Sequence, residues 1–122
     1  MKRVEFTDFY AACAKRLTED QLKALNPYVM YYMVNGAYIG LEYYAGLNAI
    51  YISIAVGNRK EWWRDFHKWA CGYKVKTVFF CAPEDRGTKA FALYAKGTLE
   101  AHEKPGYLLC RVELNNKRFS HG

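Results

Sequence analysis

NAIYISIAVGNRKEWWRDFHKWACGYKVKTVFFCAPEDRGTKAFALYAKG, residues 48–97, is the stretch whose reading decides the fold. Asn48 to Val56 reads as a strand, with Ile50, Ile52 and Ile54 on one face and Tyr51 and Ser53 on the other by the two-residue period. A tight Gly57-Asn58 exit leads into a helix from Arg59 to Cys71, on which Trp62, Trp63, Phe66, Trp69 and Ala70 form a broad apolar stripe. Asn58 is a good N-cap for it, Glu61 completes a box-like pair, and Gly72 fits the left-handed position that ends the helix. Val75 to Cys81 is the near-continuous apolar run of a strand buried on both faces. A second helix spans about Arg86 to Lys96, stopped by Gly97. Strand, helix, strand, helix in this order predicts a parallel strand pair with a right-handed crossover. The exit after the first strand then aims free backbone N–H groups above the sheet, so a ligand site is expected there.

Working outward, Asn35-Gly36 separates Tyr28–Val34 from Ala37–Tyr44 and tolerates positive φ at both central positions of a type I′ turn, which predicts a hairpin. Ala45-Gly46 turns the chain back into the strand already described. Upstream, Lys2 to Phe6 is expected as a short strand, Thr7 or Asp8 as the cap of a first helix carrying Phe9 and Cys13, and Thr18-Glu19-Asp20-Gln21 as a capping box starting a second. Downstream, Thr98–His102 and Tyr107–Leu114 form a closing hairpin across a Lys104-Pro105-Gly106 turn, and residues 115–122 are expected to fray.

At 122 residues and 52% hydrophobic composition the chain supports one domain with its own core, expected to span 1–122. Without a long apolar run or a secretory h-region, a soluble, cytoplasmic protein without a membrane partner is expected. Cys13, Cys71, Cys81 and Cys110 are widely spaced in apolar contexts and read as reduced thiols. His67, His102 and His121 lack ligand spacing, so no metal is expected. The net charge of +6 favours an anionic ligand or partner, whether nucleic acid, a phosphorylated cofactor or an acidic protein surface.

The order β-α-α-β-β-β-α-β-α-β-β, a mixed α+β arrangement around one sheet, resembles the GNAT N-acetyltransferase family. Two motifs add to it. Ile54-Ala55-Val56 is similar to the family's strand ending at the pyrophosphate loop, and Ala90-Phe91-Ala92-Leu93-Tyr94-Ala95-Lys96-Gly97 resembles its "A-x-x-L-Y-x-K-x-G-F" helix exit. The family's Arg/Gln-x-x-Gly-x-Gly/Ala loop is absent, because Val56 passes through Gly57-Asn58 directly into Arg59; Gly87 replaces an Asn usual in the family, and Thr98 stands where its Phe is expected.

The resemblance implies acetyl-CoA as cofactor, with the Ala55 and Val56 backbone on its pantetheine arm and Gly57, Asn58, Arg59 and Lys60 on its pyrophosphate. It also implies Tyr94 as the general acid, and Glu42, on the preceding strand, is the best placed carboxylate for a base acting through water. Each has a plainer reading beside it. Arg59 and Lys60 also read as solvated residues on a capped helix, Tyr94 as a packing phenol and Glu42 as a solvated strand carboxylate. Lys60, Arg64 and Lys68 share a helix face that could track phosphates, though Glu61 and Asp65 interleave with them. Two functions therefore stand at this point: an acyl-CoA-dependent N-acyltransferase with a shortened cofactor loop, or an inactive GNAT-like binding protein. The second resembles phage virion components or inhibitors of host systems, with a host protein or nucleic acid as partner and the host cytoplasm or virion as location.

Overall fold

A computed structural model describes residues 1–114; the tail expected to fray, residues 115–122, lies outside the described residues. The chain runs β1 (Lys2–Val4), α1 (Phe6–Cys13), a 3-10 turn (Ala14–Arg16), α2 (Glu19–Ala24), β2 (Met30–Val34), β3 (Ala37–Tyr44), a 3-10 turn (Ala45–Leu47), β4 (Ala49–Val56), α3 (Arg59–Gly72), β5 (Thr77–Pro83), α4 (Arg86–Ala95), β6 (Thr98–Ala101) and β7 (Tyr107–Glu113). The strands form one mixed sheet in the order β1-β2-β3-β4-β5-β7-β6. Among the described residues its one parallel pair is β4 with β5, as the strand-helix-strand reading requires. Among the described residues no helix is long and apolar enough to cross a membrane.

Local chemistry accounts for the hairpins and caps. Asn35 and Gly36 have φ of 45° and 78°, the positive pair of a type I′ turn, and they set the register Val34↔Ala37. Gly36→Val therefore lowers the unfolding midpoint by strain worth roughly 1–3 kcal/mol; an unchanged midpoint would contradict the turn. Thr18 accepts from the Gln21 N–H at 3.1 Å while the Gln21 side chain takes the Thr18 N–H at 2.9 Å, closing the predicted capping box.

Several boundaries differ from the expectation. Phe6 belongs to α1 rather than β1, and Glu5 is the N-cap, because Phe6 stacks with Phe9, Tyr10 and Tyr31 beneath the sheet. Asn58 caps α3 through the Lys60 N–H and makes no box with Glu61. Helix α3 runs through Gly72, and Lys74 at φ 59° takes the left-handed position instead. Asn48 fixes that turn by donating from its amide to the Lys74 carbonyl at 2.8 Å and accepting the Lys76 N–H at 2.9 Å. At the end of α4 Lys96 is likewise left-handed, one residue before Gly97. Strand β5 starts at Thr77 rather than Val75, and it is not buried throughout: Thr77, Val78 and Ala82 are buried, whereas Phe79 to Cys81 are half-buried, Phe80 and Cys81 because they face a cavity.

The main core lies between the sheet and α3 with α4, joining Ile39, Leu41, Ile50, Ile52, Val78 and Cys110 to Trp62, Trp63, Phe66, Ala70, Phe91 and Ala92. A second cluster on the opposite face holds Phe9, Cys13, Val29, Tyr31 and Val56, with Ile54 packed against it. Ile54 thus leaves the face of Ile50 and Ile52. The pairing passes from Leu41↔Ile52 to Gly40↔Ile54, so Ser53 is an extra residue on β4, and its hydroxyl donates to the Gly40 carbonyl at 3.1 Å. Such a bulge shifts the side-chain alternation by one and bends the strand, which the two-residue period alone does not anticipate.

Candidate functional site

The bend in β4 opens the sheet. Strands β4 and β5 pair only from Ala49↔Thr77 to Ile52↔Phe80. Beyond that point β4 stays with β3 through Val56, and β5 stays with β7 through Pro83. Ser53–Val56 and Cys81–Pro83 therefore diverge, and their facing edges carry no ladder. A cavity of about 260 Å³ fills the wedge. Ser53, Ile54 and Ala55 form one wall and Cys81, Ala82 and Pro83 the other; Arg59, Trp62, Phe80 and Phe91 close it on the α3–α4 side, and Gln21, Ala24, Leu25 and Asn26 with Tyr31 on the α2 side. The opening reaches both faces of the sheet. The Tyr31 hydroxyl steadies the α2 side by donating to the Asn26 carbonyl at 2.7 Å.

Helix α3 begins at the rim of this wedge. The Asn58 side chain occupies the Lys60 N–H at 3.1 Å and leaves the other first-turn donors without a side-chain cap. Arg59 lines the cavity and reaches toward α4, its guanidinium carbon 6.0 Å from the centre of the Phe91 ring. Across the rim Asp85 caps α4 by accepting the Thr88 N–H at 2.8 Å. That bond, with the charge of Arg59 beyond it, holds the Asp85 carboxyl below its ordinary range. Gly57 has φ 138°, and a Cβ built there would lie 2.5 Å from the Ala37 Cβ. Its place in the exit is thus required by close backbone approach to β3.

Of the residues singled out in the sequence, Ala55 and Arg59 line the cavity, and Val56, Gly57, Asn58 and Lys60 continue the same exit around its rim. Tyr94 stands outside the lining, 46% exposed, with the Lys60 ammonium 5.5 Å from its ring centre and the Phe91 ring 6.4 Å away. Glu42 is one layer removed from the cavity. It accepts from the Tyr44 hydroxyl at 2.9 Å, which pushes the Tyr44 phenol above its usual range, and it pairs with Tyr51 across the β3–β4 ladder. Tyr51 is held strongly protonated, first by burial and then by the neighbouring Cys81 thiol, which does line the wedge.

Trp62, Cys81, Phe91 and the Gln21–Asn26 segment are cavity residues that sequence reasoning assigned elsewhere. Trp62 and Phe91 were indistinguishable from core because the edge of an apolar stripe looks the same whether it meets a neighbour or a void. The α2 segment offered no signal beyond its capping box.

No family model matches the chain, and no curated protein does. Solved structures do. A ribosomal-protein alanine N-acetyltransferase from Escherichia coli superposes with a TM-score of 0.62 at 14% identity, covering 93% of this chain and 92% of that one. A GNAT-family acetyltransferase from Listeria monocytogenes gives 0.53 at 11% identity over 88% and 83%. The PaiA N-acetyltransferase from Thermoplasma acidophilum, solved in complex with coenzyme A, gives 0.50 at 9% identity over 86% and 85%. Identities this low speak for architecture, and together with the splayed parallel pair they establish that the chain has the GNAT N-acetyltransferase fold.

Proposed function

We propose that the chain is an acyl-CoA-dependent N-acyltransferase whose cofactor loop is reduced to Gly57-Asn58. The observation that carries this reading is the wedge between β4 and β5, which meets the first turn of α3 at Arg59, where the Asn58 cap takes only the Lys60 N–H. The residues present suit such a ligand. The unladdered edge of Ser53–Val56 offers backbone groups to the amides of a pantetheine arm, while Arg59, Lys60 and the α3 N-terminus offer charge and N–H donors to a pyrophosphate. When bound, acyl-CoA supplies an acyl group on a thioester, a carbonyl activated toward amines. The acceptor amine would enter from the α2 side, where Glu42, through Tyr51, Cys81 and water, is the group to accept its proton. Tyr94 is the proposed acid, standing beside Phe91 at the outer rim.

Acetyl-CoA should raise the melting temperature in a dose-dependent way, by about 2.7 kcal/mol of stabilisation at a hundredfold excess over its dissociation constant. Arg59→Glu with Lys60→Glu should abolish that shift while the fold survives, since the first turn of a helix accepts anions. Tyr94→Phe should keep the shift and slow acyl transfer to an amine acceptor, followed by the free coenzyme A thiol released, about a hundredfold or more. The absence of any thermal shift with millimolar acetyl-CoA, in folded protein, would defeat the reading.

A second reading is favoured by the half-exposed placement of Tyr94 and the shortened loop. In it the chain is an inactive GNAT-fold binding protein, such as a phage virion component or an inhibitor of a host system. The exposed Lys60, Arg64 and Lys68 on α3 then face a host protein or nucleic acid. Co-purification of such a partner with an empty cleft would favour it.

A further inference from the structure

We propose that the indole N–H of Trp62 is a ligand-binding donor in the wedge, placed to take a carbonyl oxygen of the amide-bearing arm of coenzyme A; this rests on the acyl-CoA reading above. Trp62 is 3% exposed and lines the cavity beside Arg59, Phe80 and Phe91. Its Nε1 is buried and has no acceptor among the described residues. An indole nitrogen can only donate, and native structures satisfy the large majority of buried donors, so an orphan in a cavity wall marks where an acceptor belongs.

The ring is packed among three other aromatic rings. Trp63 and Phe66 stand edge-on to it, with ring centres 6.1 Å away in both cases, and Phe91 is tilted against it at 6.2 Å. Trp62 lies three residues beyond Arg59 on the same face of α3, about 4.5 Å deeper along the helix axis. A ligand held by its anionic end at Arg59 and running inward along the unladdered edge of β4 would carry its first amides past this donor. Among the described residues lining that side, Ile52, Phe80 and Phe91 carry no side-chain acceptor, and the Arg59 guanidinium can only donate.

The test uses the intact chain, whose three tryptophans give three indole N–H resonances. The Trp62 signal is assigned by its loss in Trp62→Phe. On titration with coenzyme A this signal should move to a new saturating position, while adenosine 3′,5′-bisphosphate, which lacks the arm, should leave it in place. Trp62→Phe should weaken coenzyme A binding about tenfold, and leave the midpoint of the unliganded protein unchanged or raised, since it deletes an unpaired donor and keeps most of the ring. Saturable coenzyme A binding with a stationary Trp62 signal, equal affinity in Trp62→Phe, or an equal response to the bisphosphate would each overturn the assignment while leaving the wedge as the cofactor site. No coenzyme A binding at all removes the acyl-CoA reading and this inference with it. Should Trp62→Phe fail to fold, the signal is assigned through Trp63→Phe and Trp69→Phe, and the titration decides alone.

Discussion

Phe66→Ala is expected to destabilise the protein by about 3–5 kcal/mol, the cost of deleting a large buried aromatic and leaving most of its cavity unfilled. Phe66 is fully buried and touches Trp63 at 5.6 Å and both Trp62 and Trp69 at 6.1 Å between ring centres. These are the residues that hold α3 on the sheet, so the loss is not confined to one contact. Against a total stability of about 5–15 kcal/mol it removes a large share, and urea denaturation should show a midpoint lower by roughly 2 M. Leu93→Ala serves as the comparison: Leu93 is 82% exposed on α4, and its truncation should stay within about 0.5 kcal/mol. Equal midpoints for Phe66→Ala and the parent would show that α3 is not seated as described.

The second large effect is expected at Gly57. Replacing it by Ala adds one methyl carbon that would sit 2.5 Å from the Ala37 Cβ and 3.0 Å from the Ala37 Cα, at a backbone φ of 138°. Steric overpacking and backbone strain each cost about 1–3 kcal/mol, so Gly57→Ala should lose about 2–6 kcal/mol. The two contributions can be separated. Ala37→Gly in the same chain removes the nearer of the two atoms struck, and should recover most of the steric part but not the strain, giving a coupling energy above about 1 kcal/mol in a double-mutant cycle. Strictly additive effects would mean that β3 and the exit of β4 do not meet at Ala37. Because the exit also starts α3, Gly57→Ala should weaken acetyl-CoA binding as well, whereas Ala37→Gly alone should not.

What the sequence disclosed follows the range over which its chemistry acts. Asn35-Gly36, the Thr18–Gln21 box and the aromatic stripe of α3 each specify local geometry through a few neighbouring residues, and all three are present. The parallel pairing of β4 with β5 followed from element order. The Ser53 bulge did not, since an alternating apolar strand reads the same with or without one extra residue, and only the packing of Ile54 against the Tyr31 cluster reveals it. The wedge depends on that bulge. Its position was therefore legible as "above the Gly57 exit", while its walls were not. Tyr94 read either as the acid or as a packing phenol, and the structure puts Phe91 and Ala95 in the buried positions of α4 and leaves the phenol half-exposed.

A sheet usually has two edges, at its outer strands, and those are where another chain can add itself and start an aggregate. This one has two more, hidden indoors: the last residues of β4 and of β5 face each other without a ladder, screened by α3 and α4 on one side and by α2 on the other. Covered on both faces of the sheet, these inner edges are less open to a neighbouring polypeptide strand than the outer ones. On the acyl-CoA reading proposed above, the same unfilled hydrogen-bonding capacity that would be a hazard on the outside serves, in the interior, to receive the amides of the cofactor's arm.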